Sequence, residues 1–472
     1  MNSSKITSKI LSFVFMAAFA GVTIGNFFTH DLSFYYDAYS YIQTSQRSIL
    51  SLDILFGWRH PVIPVIYKLL QRDIVAIALF QAMLYIAAWI FLARVASGIV
   101  RSAGLKLLTV FSLLFIGLIP EFLIWNNIIL SESISMSLFI VFSGFLLLFH
   151  RSNSRAALLG ILISATLLAF NKDVGSYIVL LYSAYFFASY LVGKAKRWQN
   201  LLVGGFFVLL FVMAGFTSEH LRNVYDENNI PIEKRYQVPL LNIYKFRVLS
   251  DPWTTGIFKN YGMPYSEDLQ RMQTNESWDV LLFQEDKFSA FSAWVLRKGK
   301  RCYARFLLLH PLHSLAAVIE DSDKIFLLSA KSGIFKYAAA PKMKNGWQFK
   351  IDHSYPNRSY HWAGDRKELL AALRIRGIFH SILPLGTILL VLAAGMILLL
   401  FFNFRRRALD HDAAFFFMFF LVAAPHMLVS FFGDAIEIER HCSGALLHLL
   451  VALVLVNVVL LGNITERKNG SP

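Results

Sequence analysis

Cysteine and charge are what this chain has least of. Two cysteines in 472 residues, Cys302 and Cys442, are too few and too far apart to give a disulfide framework or a cysteine-based metal site. Whether the two pair with each other stays open. Charged residues are 16% of the chain against 56% hydrophobic, and the mean hydropathy is +0.52, which excludes a soluble globule of ordinary composition. There is no P-loop, no compact metal-ligand cluster and no convincing internal repeat. Acidic residues are also scarce, 30 against 45 Lys and Arg, for a formal net charge of +15. Much of that excess falls in short loops between apolar runs, where topology and anionic headgroups account for it, so nucleic acid is not expected as a partner.

Long apolar runs are abundant. Seven lie near 9–28, 74–97, 106–120, 133–149, 156–170, 176–193 and 200–216, and three more near 377–402, 412–432 and 443–462. Each approaches or exceeds the roughly 20 residues that cross a hydrocarbon core. The expected fold is an all-α polytopic membrane protein of about ten transmembrane helices. It divides into an N-terminal membrane domain over 1–216, a soluble extracytoplasmic region over 217–376 between the seventh and eighth spans, and a C-terminal membrane domain over 377–472. Ala18-Phe19-Ala20-Gly21 looks like a signal-peptidase site, but its apolar run is longer than the usual h-region of about 7–15 residues, so it is read as a span.

Lys and Arg in the short loops set the orientation, because positive residues are retained in the cytoplasm during insertion. Lys5 and Lys9 precede the first span; Arg94, Arg101 and Lys106 follow the second; Arg151 and Arg155 follow the fourth. Lys194, Lys196 and Arg197 follow the sixth, Arg405, Arg406 and Arg407 the eighth, and Arg467 and Lys468 the tenth. Both termini are then expected in the cytoplasm, with residues 29–73, 121–132, 171–175, 217–376 and 433–442 on the outer face of a bacterial inner membrane.

The ionisable residues suited to chemistry collect on that outer face. Asp37 sits in Tyr35-Tyr36-Asp37-Ala38-Tyr39-Ser40-Tyr41. It reads either as a solvated carboxylate in an aromatic belt or as a general base taking a proton from an acceptor hydroxyl or amine. The same loop ends in Trp58-Arg59-His60-Pro61, where the proline fixes a turn from which Arg59 and His60 can face a phosphate, or else anchor the interface. Ser131-Glu132 opens the fourth span, as a helix cap or as a functional carboxylate. Lys172 and Asp173 follow the fifth, as a local pair or with Lys172 reaching a lipid phosphate. Before the last span, Asp434, Glu437, Glu439, Arg440 and His441 crowd a short loop, and helical spacing puts Glu437 and Arg440 on one side with Asp434. In the long segment, Arg297, Lys298, Lys300, Arg301 and Arg305 precede an apolar stretch broken at His310-Pro311, which reads as a helix lying on the outer leaflet.

Taken together, these residues resemble the GT-C superfamily of integral-membrane glycosyltransferases, which includes protein mannosyltransferases and aminoarabinose transferases of lipid A. The resemblance covers most of the chain and rests on Asp37, Arg59-His60-Pro61, Ser131-Glu132, His310-Pro311 and Glu439-Arg440-His441. Two departures stand out: Ala38 follows Asp37 where many members carry an Asp-Glu pair, and His441 stands where Tyr is commoner.

The resemblance implies inverting transfer of a sugar from a polyprenyl-phosphate carrier to an extracytoplasmic lipid, glycan or protein. Asp37 would be the general base, and Arg59, His60, Lys172 and Arg440 would hold the donor phosphate. Glu132, Glu437, His441 and His310 would orient these groups or the sugar. No cofactor is required by this scheme, although a divalent metal bridging Asp37 and Glu132 to the phosphate is compatible with hard oxygen ligands. Two other classes stay open: a transporter or flippase of a lipid-linked sugar, which predicts repeats and broken spans, and a non-catalytic envelope assembly protein.

Overall fold

The computed structural model describes residues 3–29, 32–34, 36–192, 198–222, 224, 233–271, 286–328, 385–405, 411–435 and 437–468. Tyr35, the basic residues at 194–197, Arg406, Arg407 and the start expected for the eighth span at 377 lie outside the described residues.

Helix α1 (Ser3–Thr29) leads through a two-residue strand β1 (Ser33–Phe34) into α2 (Tyr36–Ser45) and α3 (Val62–Leu69). Then come α4 (Ile74–Ser97), α5 (Ala103–Gly117), α6 (Pro120–Leu123) and a second short strand, β2 (Ile128–Ile129). The membrane bundle continues with α7 (Glu132–Ser152), α8 (Arg155–Ala169), α9 (Asp173–Val192) and α10 (Trp198–Glu219). Short helices follow: α11 (Gln237–Ile243), α12 (Pro252–Asn260), α13 (Glu267–Arg271), α14 (Ser289–Trp294), α15 (Lys300–Leu309), α16 (Pro311–Glu320) and α17 (Ser322–Ile325). The bundle is completed by α18 (Leu385–Arg405), α19 (His411–Phe432) and α20 (Ile438–Lys468).

Among the described residues eight helices, α1, α4, α7, α9, α10, α18, α19 and α20, are long and apolar enough to cross a membrane. The chain is therefore an all-α, multi-pass membrane protein. Helices α5 and α8 have 15 residues each, a rise of about 22 Å. Helix α8 nonetheless runs back along α7: it returns the chain from the end of α7 to Lys172, whose amine bonds Glu132 at the start of α7. Only two residues join α7 to α8. Asn153 ends α7 in the left-handed region (φ 48°), and Ser154 accepts the Ala157 N–H at 3.2 Å to cap α8. The third span, expected as one run over 106–120, is a broken one: α5 and the segment Pro120–Asn127 meet at 59°. Pro120 starts the second piece, where its missing N–H costs nothing.

Residues 233–271 and 286–328 build a helical unit on the bundle end that carries Asp37, Arg59 and Arg440. Its own core contains Leu241, Tyr244, Phe258, Phe291, Val295 and Phe306. Arg247 fastens it to α19, donating to the Phe431 carbonyl at 2.7 Å and lying 4.0 Å over that ring. The expected single interfacial helix is two, α15 and α16, meeting at 92° where Pro311 restarts the chain. Helix α16 buries none of its residues, and Leu308, Leu312 and Ile319 are exposed. Cys302 and Cys442 are both free thiols.

Helices α8 and α9 approach too closely for a side chain at Gly175. A Cβ there would lie 2.0 Å from the Leu168 carbonyl oxygen, and backbone cannot swing away. Gly175→Ala is expected to destabilise the bundle by about 1–3 kcal/mol, seen as a lower unfolding temperature in detergent. An unchanged temperature would show that the helices are not packed this way.

Candidate functional site

Two strands of two residues each bring the first loop to the start of α7. They pair in parallel, Ser33 with Ile128 and Phe34 with Ile129. Asp37 follows β1 in the first turn of α2, and Glu132 follows β2 at the first position of α7. Asn26 donates to Asn127 at 2.9 Å, and the buried Gln81 amide donates to the Ile128 carbonyl at 3.0 Å, bracing the segment. The turn bearing Arg59 and His60 is held from outside by Arg235, which donates to the carbonyls of Gly57 (2.9 Å) and Trp58 (3.1 Å). The Val62 N–H then ties it to the Phe170 carbonyl at the end of α8.

Arg440, in the first turn of α20, is the hub. Its Nε donates to Glu132 Oε1 at 2.8 Å, its Nη1 to Glu437 Oε2 at 2.5 Å, and its Nη2 to Asp37 Oδ2. Arg59 Nη2 holds the other Asp37 oxygen at 2.7 Å, and Lys172 Nζ reaches Glu132 Oε1 at 3.0 Å. The guanidinium fork suits this work, because three donors point at three acceptors in one plane. Three cations face three carboxylates, so the cluster is neutral overall. Burial is graded: Arg440 and Glu132 are 4% and 3% exposed, whereas Asp37, Arg59, Lys172 and Glu437 keep 22–23%. For Asp37 burial favours the neutral acid, but Arg59 and Arg440 outweigh it and hold the carboxyl well below the ordinary carboxylate range.

Other candidates are placed differently from the expectation. Ser131 is no helix cap: its backbone is already helical and its hydroxyl donates to Glu132 Oε2 at 3.3 Å. Lys172 and Asp173 do not pair locally, since Lys172 joins Glu132 and Asp173 accepts from His60 Nε2 at 2.7 Å. His60, expected as a phosphate cation, is buried, with Arg235 Nη1 3.1 Å from its ring nitrogens. Burial first, and then the Arg235 charge, push it below the ordinary histidine value, so it is a neutral imidazole near pH 7. Asp434 lies beside His441 (3.6 Å) and accepts from Asn242 (3.3 Å) rather than joining Arg440. His310 packs on Trp253 and Phe306, ring centroids 5.3 and 5.1 Å away, within the extramembrane unit. Among the described residues no three His, Cys, Asp or Glu side chains are grouped to hold a metal, and Asp37 and Glu132 share Arg440 instead of a cation site.

Beneath the cluster a recess, partly open to the surroundings, runs between α7, α8, α9, α19 and α20. Glu132, Lys172, Arg440 and His441 line its mouth, and Met136, Phe139 and Ile178 line its walls. Sequence reasoning missed several residues here and nearby: Asn171, which also lines the recess, the buried pair His426 and His448, and Arg235. The two histidines had a legible signal, an ionisable residue inside an apolar span. Arg235 had none. No protein-family model matches the chain, and neither a curated protein nor a solved structure is significantly similar to it.

Proposed function

We propose that the chain is a GT-C-type glycosyltransferase that moves a sugar from a polyprenyl-phosphate carrier to an acceptor on the extracytoplasmic face of a bacterial inner membrane. The observation that carries this reading is the meeting of Asp37, Glu132, Lys172, Glu437 and Arg440 in one ion cluster, three of which (Glu132, Lys172 and Arg440) line a recess of the helix bundle, although Asp37 and Arg440 are 403 positions apart. Buried charges at membrane depth are costly to assemble and are ordinarily functional. Basic residues at the far ends of the helices, including Arg94, Arg151 and Arg155, support the sidedness and cytoplasmic termini.

Lys172 and Arg440 take the donor phosphate at the mouth of the recess, with His441 beside them. An arriving phosphate competes with Asp37 for Arg440, which loosens the grip on the carboxylate and raises its basicity. Asp37 then accepts the acceptor's proton while the acceptor oxygen or nitrogen bonds to the anomeric carbon from the side opposite the phosphate. The carbon–oxygen bond to phosphate breaks, its electron pair leaves with the polyprenyl phosphate, and the growing negative charge falls on fixed cations. Arg59 stays with Asp37 and orients it. Glu132 and Glu437 keep Arg440 in position.

Mass analysis of lipid that co-purifies with the chain tests the donor class. A polyprenyl phosphate or its glycosylated form is expected, whereas bulk phospholipid alone would count against the reading. A transporter of the same lipid is the second reading, favoured by the buried His426 and His448 within the bundle.

A further inference from the structure

The recess has polar groups at two depths that the transfer chemistry above does not use. Asn171 is buried beside Lys172, one turn below Glu132, and its amide is bonded to the Ser135 hydroxyl on one side while Oδ1 has no hydrogen-bond partner. Turning the amide over would leave the nitrogen unpaired instead, so either way one polar atom is unsatisfied. His426 also lines the recess, and behind it runs a buried chain: His426 Nδ1 is 3.1 Å from His448 Nδ1, and His448 Nε2 is 3.1 Å from the Tyr182 hydroxyl. Only one proton can lie between the two Nδ1 atoms. With the Tyr182 hydroxyl donating to His448 Nε2, and His448 Nδ1–H donating to His426 Nδ1, the remaining proton of neutral His426 is on Nε2.

The walls around these groups are apolar, formed by Met136, Phe139, Leu168, Val174 and Ile178. Phe139 is seven residues below Glu132 on α7, so the recess reaches about 10 Å beneath the ion cluster.

We infer, resting on the donor reading above, that the recess receives the uncharged, hydroxylated ring of the lipid-linked donor, and that Asn171 near its mouth and His426 deeper in, beside Phe139, determine its specificity. A sugar ring offers what the recess lacks: hydroxyls for the amide and the imidazole, and C–H faces for Phe139 and Met136. A prenyl tail in the same place would leave both polar groups unpaired against hydrocarbon, which is unfavourable. His448 and Tyr182 are positioning residues, because through the Nδ1–Nδ1 hydrogen bond they set whether His426 Nε2 donates to the ligand or accepts from it.

The test uses the full chain in detergent and two kinds of probe: a short-chain polyprenyl phosphate, and its conjugates with a panel of hexoses, N-acetylhexosamines and pentoses. Wild type is expected to bind at least one conjugate more tightly than the bare phosphate. Asn171→Leu and His426→Phe should each weaken that conjugate about tenfold, the equivalent of one lost polar contact, and leave the bare phosphate unaffected. His426→Gln, which keeps an N–H donor, should recover part of the loss, and unfolding temperatures identify any variant that fails to fold. The inference is overturned if no conjugate exceeds the bare phosphate, or if folded variants keep the sugar-dependent gain. If wild type binds neither probe, the donor reading itself falls.

Discussion

Arg440→Gln is expected to abolish donor binding and turnover and to lower the unfolding free energy by about 3–5 kcal/mol. The magnitude follows from what the substitution leaves behind. Arg440 is 4% exposed and answers three carboxylates, of which Glu132 is as deeply buried. Removing the cation leaves those charges without their shared partner in a low-dielectric setting, which is far more costly than losing a surface ion pair. Arg440→Lys keeps the charge but not the three-way fork, so an intermediate loss of stability is expected. Thermal unfolding in detergent and binding of a polyprenyl phosphate check both. An Arg440→Gln protein as stable as wild type would mean that the hub does not hold the site together.

Asp37→Asn should lower turnover on the order of 10²–10⁴-fold while donor binding is retained or strengthened. Asparagine keeps the shape but cannot take a proton, and it releases Arg59 and Arg440 from a competing negative charge. Because Arg59 and Arg440 hold the Asp37 pKa down in the folded chain, its contribution to stability is fully present above the ordinary aspartate value of 3.8 and is lost as the pH falls through the lower folded value. Between roughly pH 5 and 8 Asp37 therefore stays ionised and gives no acidic limb to a rate profile. A limb in the histidine range would identify a different base. Wild-type transfer by Asp37→Asn would likewise mean that another group is the base.

Much of the architecture was legible because crossing a bilayer demands length and apolarity, both of which are local properties of sequence. The runs at 74–97 and 156–170 appear as helices within a residue or so of their expected ends. The break after Gly117 was not, because Leu118 and Ile119 keep the hydropathy unbroken while Pro120 redirects the backbone. At the site, side chains that share a partner across the bundle were harder to read than side chains adjacent in sequence. Lys172 beside Asp173 suggests a local pair, yet the two point to different neighbours, one on α7 and the other on the turn before α3. The pairing of Glu437 with Arg440 did carry over, although Glu437 lies just before α20 with a left-handed backbone (φ 54°) rather than in a helical turn. Arg235 shows the opposite case: its role is to hold carbonyls of a turn 178 positions away, and carbonyls have no sequence signature.

The position of the hub in the chain also bears on how the protein is made. Asp37 and Glu132 emerge early, while the arginine that joins them arrives on the last helix, 403 and 308 residues later. Throughout synthesis Glu132 enters the membrane region ahead of its main countercharge, and Lys172, 40 residues on, is the earlier cation to reach it. Assembly of the charged centre thus waits for α20, so a nascent chain halted before that helix would carry Asp37 with Arg59 and Glu132 with Lys172 without the residue that unites the two pairs.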